Sequence, residues 1–259
     1  MLKPTAKPQV SHAREALLAA AAAQDPISLE EVLDGAALQT RVDRKFLLTP
    51  EELTAFVELL QGKFKIMEID GQRVFDYEST YFDTPDFEQY RAHRQGRRRR
   101  YKVRSRTYVD TGLCMFEIKT KGLRGATVKH RRQQCPTLAG ELTEENDRFL
   151  VDVLQSEYGQ SVPALQPVLD SAYSRATFAD PVDGERVTCD VDLHYWDRLE
   201  QVTDSRAGRR DARGPELIVV ETKTVDGRGI SDQALAELGI REESMSKYCL
   251  GVAMLNPHL

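Results

Sequence analysis

Residues 96–108, GRRRRYKVRSRTY, hold seven Lys or Arg side chains in thirteen positions of a chain whose formal net charge is −5. Arginine offers forked donors to phosphate oxygens, and lysine offers a compact point charge, so such a run is suited to binding phosphate groups. A β-strand places alternate side chains on opposite faces. The run therefore predicts one face that carries Arg98, Arg100, Lys102, Arg104 and Arg106, with Tyr101 and Val103 among the residues opposite.

The same alternation recurs in other β-like segments of the chain. Within each segment the odd-numbered and even-numbered positions form two sets of one parity each, and charged residues take one parity while apolar residues take the other. The charged sets are Arg41, Asp43 and Lys45; Glu117, Lys119 and Lys121; Arg186, Asp190 and Asp192; and Glu221 and Lys223. For a single strand, the solvent face of an ordinary antiparallel sheet explains this pattern. The density of like charge across all strands instead favours a closed barrel with a charged lumen, filled by an extended polyanion and a divalent metal.

The composition limits the class of protein. Basic and acidic side chains number 36 and 41, and the sequence pI is about 5.7, whereas a dedicated nucleic-acid-binding domain is usually basic as a whole. No apolar run approaches the roughly 20 residues of a membrane span. The four cysteines are scattered without a CxxC pair, which argues against a zinc site or a disulfide framework. We therefore expect a soluble cytoplasmic protein and no nucleic-acid partner.

Strand and helix signals alternate along the chain and predict an α+β fold. Seven β-like runs accompany helical patterns after Thr49, after Thr143, within GISDQALAEL and within SMSKYCLGVAML. Residues 1–36 are predicted to form an N-terminal extension with an Ala-rich helix, and residues 37–259 a single domain. The segment DSRAGRRDARGP is predicted to be a disordered insertion.

Between residues 38 and 255 the chain resembles the VTC domain of polyphosphate polymerases, a branch of the CYTH-like triphosphate tunnel metalloenzymes. The matching segments, in order, are RVDRKF, STYFDT with Asp83, KVRSR, FEIKTK, VKHRR, AYSRATF, RVTCDVD, VVETK and MSKY with Tyr248. The wider superfamily begins with Glu-x-Glu-x-Lys, whereas this chain has Arg41-Val-Asp43-Arg44-Lys45. This departure agrees with the VTC branch and makes two tightly bound metal ions less favoured.

The resemblance implies an antiparallel β-barrel of about eight strands, a triphosphate tunnel with helices packed outside. It implies transfer of the terminal phosphate of ATP onto a polyphosphate chain with Mn²⁺ or Mg²⁺. The residues carried over as catalytic are Lys45, Arg104, Arg106, Lys119 and Glu221. Those carried over as phosphate-binding are Lys102, Lys129, Arg131, Arg175, Arg186, Lys223, Ser246 and Lys247. Glu221 is the first candidate metal ligand, and Glu117 is the second unless it pairs with a neighbouring arginine.

Other functions remain open at this stage. The same residues could hydrolyse tripolyphosphate or a nucleoside triphosphate, or could bind polyphosphate without catalysis. A separate membrane-protein partner is also open, because the eukaryotic assemblies of this family carry membrane-spanning modules. Asp190 and Asp192 could assist the metal, but they are rather expected to orient lumen arginines by ion pairing. The arginines of residues 97–100 are expected at the tunnel mouth, where they would attract a polyanion.

Overall fold

The computed structural model describes residues 11–34, 42–122, 127–199 and 210–259. The helices are α1 (His12–Ala22), α2 (Leu29–Asp34), α3 (Pro50–Leu59), α4 (Glu88–Arg94), α5 (Glu144–Tyr158), α6 (Ile230–Glu237) and α7 (Lys247–Leu255). The strands are β1 (Pro26–Ser28), β2 (Val42–Leu48), β3 (Lys65–Glu68), β4 (Val74–Asp83), β5 (Tyr101–Tyr108), β6 (Leu113–Lys121), β7 (Thr127–Gln134), β8 (Gln166–Ala179), β9 (Arg186–Asp197), β10 (Asp211–Arg213) and β11 (Ile218–Thr224).

Eight strands follow one another in the order β2-β11-β9-β8-β4-β5-β6-β7. The pairs β2/β11, β11/β9, β4/β5, β5/β6 and β6/β7 are antiparallel, while β3 pairs with β8, β10 pairs with β9, and β1 pairs with β3 in parallel. The predicted α+β class and antiparallel sheet of about eight strands are confirmed. Each of the four helical patterns also forms a helix.

The chain divides into two compact units. Unit 1 comprises the described parts of Met1–Phe75, Ser174–Asp192 and Pro215–Ser244, and unit 2 those of Asp76–Tyr173, Leu193–Gly214 and Met245–Leu259. Strands β8 and β9 contribute residues to both units. The predicted boundary between residues 36 and 37 lies outside the described residues, as does Arg41.

The core of unit 1 joins one face of its strands to three helices. Phe46, Val220 and Val191 lie on the apolar parity of β2, β11 and β9, and they share a buried cluster with residues of α1, α3 and α6. Helix α3 begins with a capping box, in which the Thr49 side chain accepts from the Glu52 N–H and the Glu52 carboxylate accepts from the Thr49 N–H. The charged residues at the other parity of these strands therefore face away from the core.

In unit 2, the apolar parity of β5 and β6 packs against α5. Tyr101 and Val103 join Ile118 in one buried cluster with Leu150 and other residues of this helix. Thr143 caps the start of α5 by accepting from a backbone N–H, and Gly159 ends the helix at a φ of 62°. The alternation in the basic run therefore separates a packed face from a charged one, as predicted.

Two features differ from the sequence expectation. Residues 211–213, within the segment predicted as a disordered insertion, form β10 and pair with β9; residues 200–209 lie outside the described part of the chain. The seven β-like runs also do not include the 14-residue strand β8, although Arg175 was expected on a strand.

No helix in the described part of the chain is long and apolar enough to cross a membrane.

Candidate functional site

The charged face of β5, β6 and β7 lies in unit 2 and forms a set that we call the β5–β7 cluster: Lys102, Arg104, Arg106, Glu117, Lys119, Lys129 and Arg131. Antiparallel register places Lys102 opposite Lys119 and Lys119 opposite Lys129, so three ammonium-bearing residues form one row across the strands. The next row is Arg104, Glu117 and Arg131. Because like charges opposite one another repel, the row of lysines favours an anion near the face, whereas in the second row Glu117 separates the two arginines.

Glu117 is the one acidic member of the β5–β7 cluster, and its side chain is only 2% exposed. Its Oε2 accepts from Arg104 Nε at 2.7 Å and from Arg104 Nη2 at 2.5 Å, while Oε1 contacts Lys129 Nζ. Burial disfavours both the carboxylate and the guanidinium, but their attraction prevails. It holds the pKa of Glu117 far below its ordinary value and that of Arg104 above its own.

Arg106 differs from Arg104 because it makes no close ion pair with a described carboxylate, although the Glu117 charge attracts it. The residue is 7% exposed, and its Nε has no hydrogen-bond partner among the described residues. Its guanidinium carbon lies 5.7 Å from the Tyr77 ring centroid and 5.9 Å from that of Tyr173. These two rings stack on one another with centroids 5.3 Å apart. Aromatic contact thus replaces ion pairing around a buried guanidinium, whose polar edge retains hydrogen-bonding capacity.

Helix α7 begins beside the same aromatic residue. Lys247 is its first residue, and its Nζ lies 4.9 Å from the Tyr173 ring centroid. Ser246 caps the helix by accepting from the Cys249 N–H at 3.5 Å. The two residues predicted to bind phosphate at this point therefore lie at a helix N-terminus, where backbone N–H groups add to the positive field.

A buried hydrogen bond anchors this helix start. The Tyr248 hydroxyl donates to the Asp83 carboxylate, which also accepts from the N–H groups of Thr84 at 2.7 Å, Gln89 at 2.9 Å and Tyr90 at 3.0 Å. Burial raises the pKa of Asp83 although these donors oppose the shift. Burial also raises the pKa of Tyr248, and the nearby Asp83 charge adds to that shift. Asp83 is therefore a positioning residue for the first turn of α7.

The second charged set lies in unit 1, and we call it the β2–β11 cluster: Asp43, Lys45, Arg175, Arg186, Asp190, Glu221 and Lys223. Lys45 is opposite Glu221, and Asp43 is opposite Lys223, which is in turn opposite Arg186. Lys223 Nζ contacts Glu221 and lies 2.9 Å from Asp43 Oδ2, while Lys45 Nζ is 3.6 Å from Glu221 Oε2. Burial opposes ionisation of Glu221, but the two lysines outweigh it and hold its pKa well below the ordinary value.

Comparison with protein-family models gives a match to the VTC domain over residues 40–256. The chain belongs to the VTC domain family. A search of curated proteins finds no match to the chain. The sequence resemblance is thus confirmed across almost the whole described length of this VTC domain.

Two solved structures are similar to this VTC domain. A proposed adenylyl cyclase from Hippeastrum, described as having a dominant triphosphatase activity, has a TM-score of 0.50 and 14% identity, covering 83% of this chain and 96% of that one. A proposed adenylate cyclase from Vibrio parahaemolyticus has a TM-score of 0.44 and 13% identity, covering 82% and 98%. The Hippeastrum structure shows that the fold is shared.

The structure brings the predicted residues of the VTC domain together in two sets, one in each unit. Unit 2 holds the β5–β7 cluster with Ser246 and Lys247, and unit 1 holds the β2–β11 cluster. The sequence pattern did not identify the aromatic contacts of Tyr77 and Tyr173, because neither tyrosine was among the predicted site residues. Among the described residues, no three His, Cys, Asp or Glu side chains are grouped closely enough to form a metal site by themselves.

Asp190 pairs with an arginine of the neighbouring strand, as expected, whereas the expectation that Asp192 would orient a lumen arginine is wrong, because it pairs with an arginine of α1. Asp190 accepts from Arg175 Nε at 2.5 Å and from Arg175 Nη2 at 2.7 Å, and its side chain is 1% exposed. Asp192 instead accepts from Arg14 of α1 at 3.3 Å, and both members of that pair are about one-third exposed. The first pair is bidentate and enclosed, whereas the second is open to solvent.

These two pairs should contribute unequally to stability. We expect Arg175→Met to lower the free energy of unfolding by about 2 kcal/mol, because Asp190 stays buried without its partner; the partial exposure of Arg175 keeps the loss below that of a fully buried pair. Arg14→Met is the matched control and should cost less than about 1 kcal/mol. Urea unfolding monitored by circular dichroism checks both values. Equal losses would contradict the difference in burial.

Proposed function

We propose that this VTC domain transfers the terminal phosphate of ATP onto a polyphosphate chain, assisted by Mn²⁺ or Mg²⁺. The observation that carries the proposal is Arg106, a buried guanidinium without a carboxylate partner among the described residues. It lies in a cluster whose single acid, Glu117, already binds Arg104 and Lys129. An arrangement with excess buried positive charge is suited to a ligand with several closely spaced negative charges.

Phosphoryl transfer requires positioning and charge neutralisation more than covalent chemistry by the protein. In the proposed reaction, the bond from the terminal phosphorus to its bridging oxygen breaks, ADP leaves, and a terminal oxygen of polyphosphate forms the new bond. In unit 2 we assign Arg104, Arg106 and Lys119 to phosphate groups of ATP, and in unit 1 we assign Lys45 to a phosphate group. The remaining predicted phosphate-binding residues are assigned to phosphate groups within their own unit, which are Lys102, Lys129, Arg131, Ser246 and Lys247 in unit 2 and Arg175, Arg186 and Lys223 in unit 1.

The donor set in unit 1 fits a divalent cation. Glu221 and Asp43 both contact the ammonium of Lys223, so their carboxylates approach a common point, and hard cations prefer such oxygen ligands. We propose that these two carboxylates hold the metal ion with phosphate oxygens. When bound, the ion supplies further positive charge to the phosphates. Both oxygens of Glu117 and of Glu221 contact cationic side chains, but Glu117 is held more closely: its Oε2 lies 2.5 Å from Arg104 Nη2, whereas Glu221 Oε2 lies 3.6 Å from Lys45 Nζ.

Hydrolysis of tripolyphosphate or a nucleoside triphosphate is the second candidate. It is favoured by the shared fold with the Hippeastrum protein, for which a dominant triphosphatase activity is described. The same cationic residues would then hold the substrate while water, instead of a polyphosphate oxygen, accepts the phosphoryl group.

Incubation of the purified protein with ATP and Mn²⁺ or Mg²⁺ separates these functions. We expect polyphosphate to appear on a gel as ADP accumulates, and both products to disappear when a chelator removes the metal. Glu221→Gln should reduce the rate by about 100-fold, because one proposed metal ligand and its charge are lost. Phosphate release without chain growth would select hydrolysis. Binding of polyphosphate with no turnover would instead select a binding module and would contradict the transferase proposal.

A further inference from the structure

The four consecutive arginines of residues 97–100, which we call the arginine run, immediately precede β5 in unit 2. Arg97, Arg98 and Arg99 are exposed, and Arg100 is half-buried. The sequence from residue 89 to residue 109 contains no Asp or Glu. The run is therefore a strongly positive surface in a chain whose net charge is negative.

Local contacts order the arginine run without neutralising it. Arg97 Nε donates to the Gln95 side chain at 2.8 Å, and Arg100 Nη1 donates to the Arg97 carbonyl oxygen at 2.5 Å. Arg98 and Arg99 form no ion pair with any residue that the structure describes. Neighbouring guanidinium groups repel one another, so packing within the protein does not explain their density.

The end of the run is fixed beside the β5–β7 cluster. The Arg100 carbonyl oxygen accepts from the Lys121 N–H at 3.0 Å, and it lies 2.9 Å from the Tyr158 hydroxyl, which itself accepts from that N–H at 2.8 Å. Lys102 follows two residues later and begins the row of three lysines. At about 3.3 Å per residue, the charged face of β5 extends about 13 Å from Lys102 to Arg106. The run lies directly before this line of positive charge in the chain, with a bend at residues 98 and 99.

We propose that the arginine run binds the phosphates of a polyphosphate chain that extend past the β5–β7 cluster, so that the protein prefers long polyphosphate to tripolyphosphate. The inference rests on the proposed function and adds a preference for chain length. The position of the run next to the cations of β5 in the chain favours a narrow linear polyanion. The negative net charge of the chain disfavours approach to a broad anionic surface such as a membrane.

The test compares two double variants with the same change in charge. Arg98→Gln/Arg99→Gln removes two exposed members of the run, and Arg148→Gln/Arg213→Gln removes two exposed arginines elsewhere in unit 2. Dissociation constants are measured for tripolyphosphate and for long-chain polyphosphate by calorimetry at two salt concentrations. We expect the first variant to bind the long chain about tenfold more weakly with a smaller salt dependence, and tripolyphosphate within about twofold of the unaltered protein. The control should bind both ligands within about twofold.

Several outcomes would overturn this inference. Equal weakening for both ligands would place the run at the tripolyphosphate site, and unchanged long-chain affinity would remove it from the binding surface altogether. Loss of binding to phosphatidylserine vesicles or to single-stranded RNA, with long-chain affinity retained, would assign the run to that other partner. If the unaltered protein binds neither phosphate ligand, the proposed function fails as well. If it binds both while the two variants behave alike, the inference alone fails.

Discussion

Replacing Arg106 with methionine is expected to lower the rate of phosphoryl transfer by about 100-fold and to raise the free energy of unfolding by about 1 kcal/mol. The two effects have opposite signs because Arg106 is buried against Tyr77 and Tyr173 without a described carboxylate. Its desolvation and the repulsion from the Lys129 charge disfavour folding, and we expect them to outweigh the attraction of the Glu117 charge. A methionine keeps the length and the contact with the aromatic rings. The rate is measured as ADP formation, and stability by urea unfolding.

Arg104→Met is the matched control, two residues away on the same face of β5. Arg104 binds Glu117 through two hydrogen bonds, so its removal leaves Glu117 with Lys129 as its remaining direct cationic partner. We expect this variant to lose both activity and about 2 kcal/mol of stability. If Arg106→Met also lost about 2 kcal/mol or more, Arg106 would be a structural residue and not a group held in place for an anion. Measuring the affinity of both variants for tripolyphosphate compares the two arginines in phosphate binding without requiring catalysis.

Alternation of residue types was sufficient to predict which side chains share a face of β5. Tyr101, Val103 and Ser105 are buried on one parity, while Lys102 and Arg104 remain partly exposed on the other. Capping residues likewise predicted the starts of α3 and α5, because these signals lie within a few positions of the helix they begin. Local periodicity thus accounts for most of the elements that carry the charged clusters.

Contacts between distant segments could not be predicted in this way. Parity places Arg104 and Glu117 on charged faces, but only the register of β5 against β6 makes them direct neighbours. The bond from Tyr248 to Asp83 joins residues 165 positions apart, and nothing in either local sequence specifies the partner. Strand β8 was missed as a β-like run because side chains of both parities are buried along much of its length, which removes the alternation.

The two charged sets also show what a resemblance adds to periodicity. For any one strand, the alternation of charged and apolar residues is also explained by a sheet face that is exposed to solvent. The resemblance predicts roles for specific members of those faces, and the structure then shows which of them form ion pairs within the protein. Arg175 is satisfied by Asp190, whereas Arg106 has no such partner among the described residues. Whether a side chain can still bind a ligand therefore depends on the residues around it and not on its place in a motif.

Glu117→Gln is expected to lower the free energy of unfolding by about 3 kcal/mol at neutral pH, because Arg104 and Lys129 then lose the charge that compensates them. The pKa of Glu117 is lower in the folded protein than in the unfolded chain. Its contribution is therefore complete above about pH 4.3, the ordinary glutamate pKa, and declines as the pH falls toward the folded value. Urea unfolding at pH 7 and at about pH 3 should show the difference between variant and unaltered protein narrowing in acid.

Glu145→Gln is the control for this change, because Glu145 pairs with Arg132 at an exposed position on α5. It should alter stability by less than about 0.5 kcal/mol at either pH. If the loss of unfolding free energy in Glu117→Gln did not vary with pH, it would indicate altered packing instead of a lost charge. Since the variant cluster carries one more positive charge, added tripolyphosphate should raise its melting temperature more than that of the unaltered protein. The ligand would then supply the negative charge that Glu117 provides, as expected if this buried carboxylate and a bound phosphate interact with the same cations.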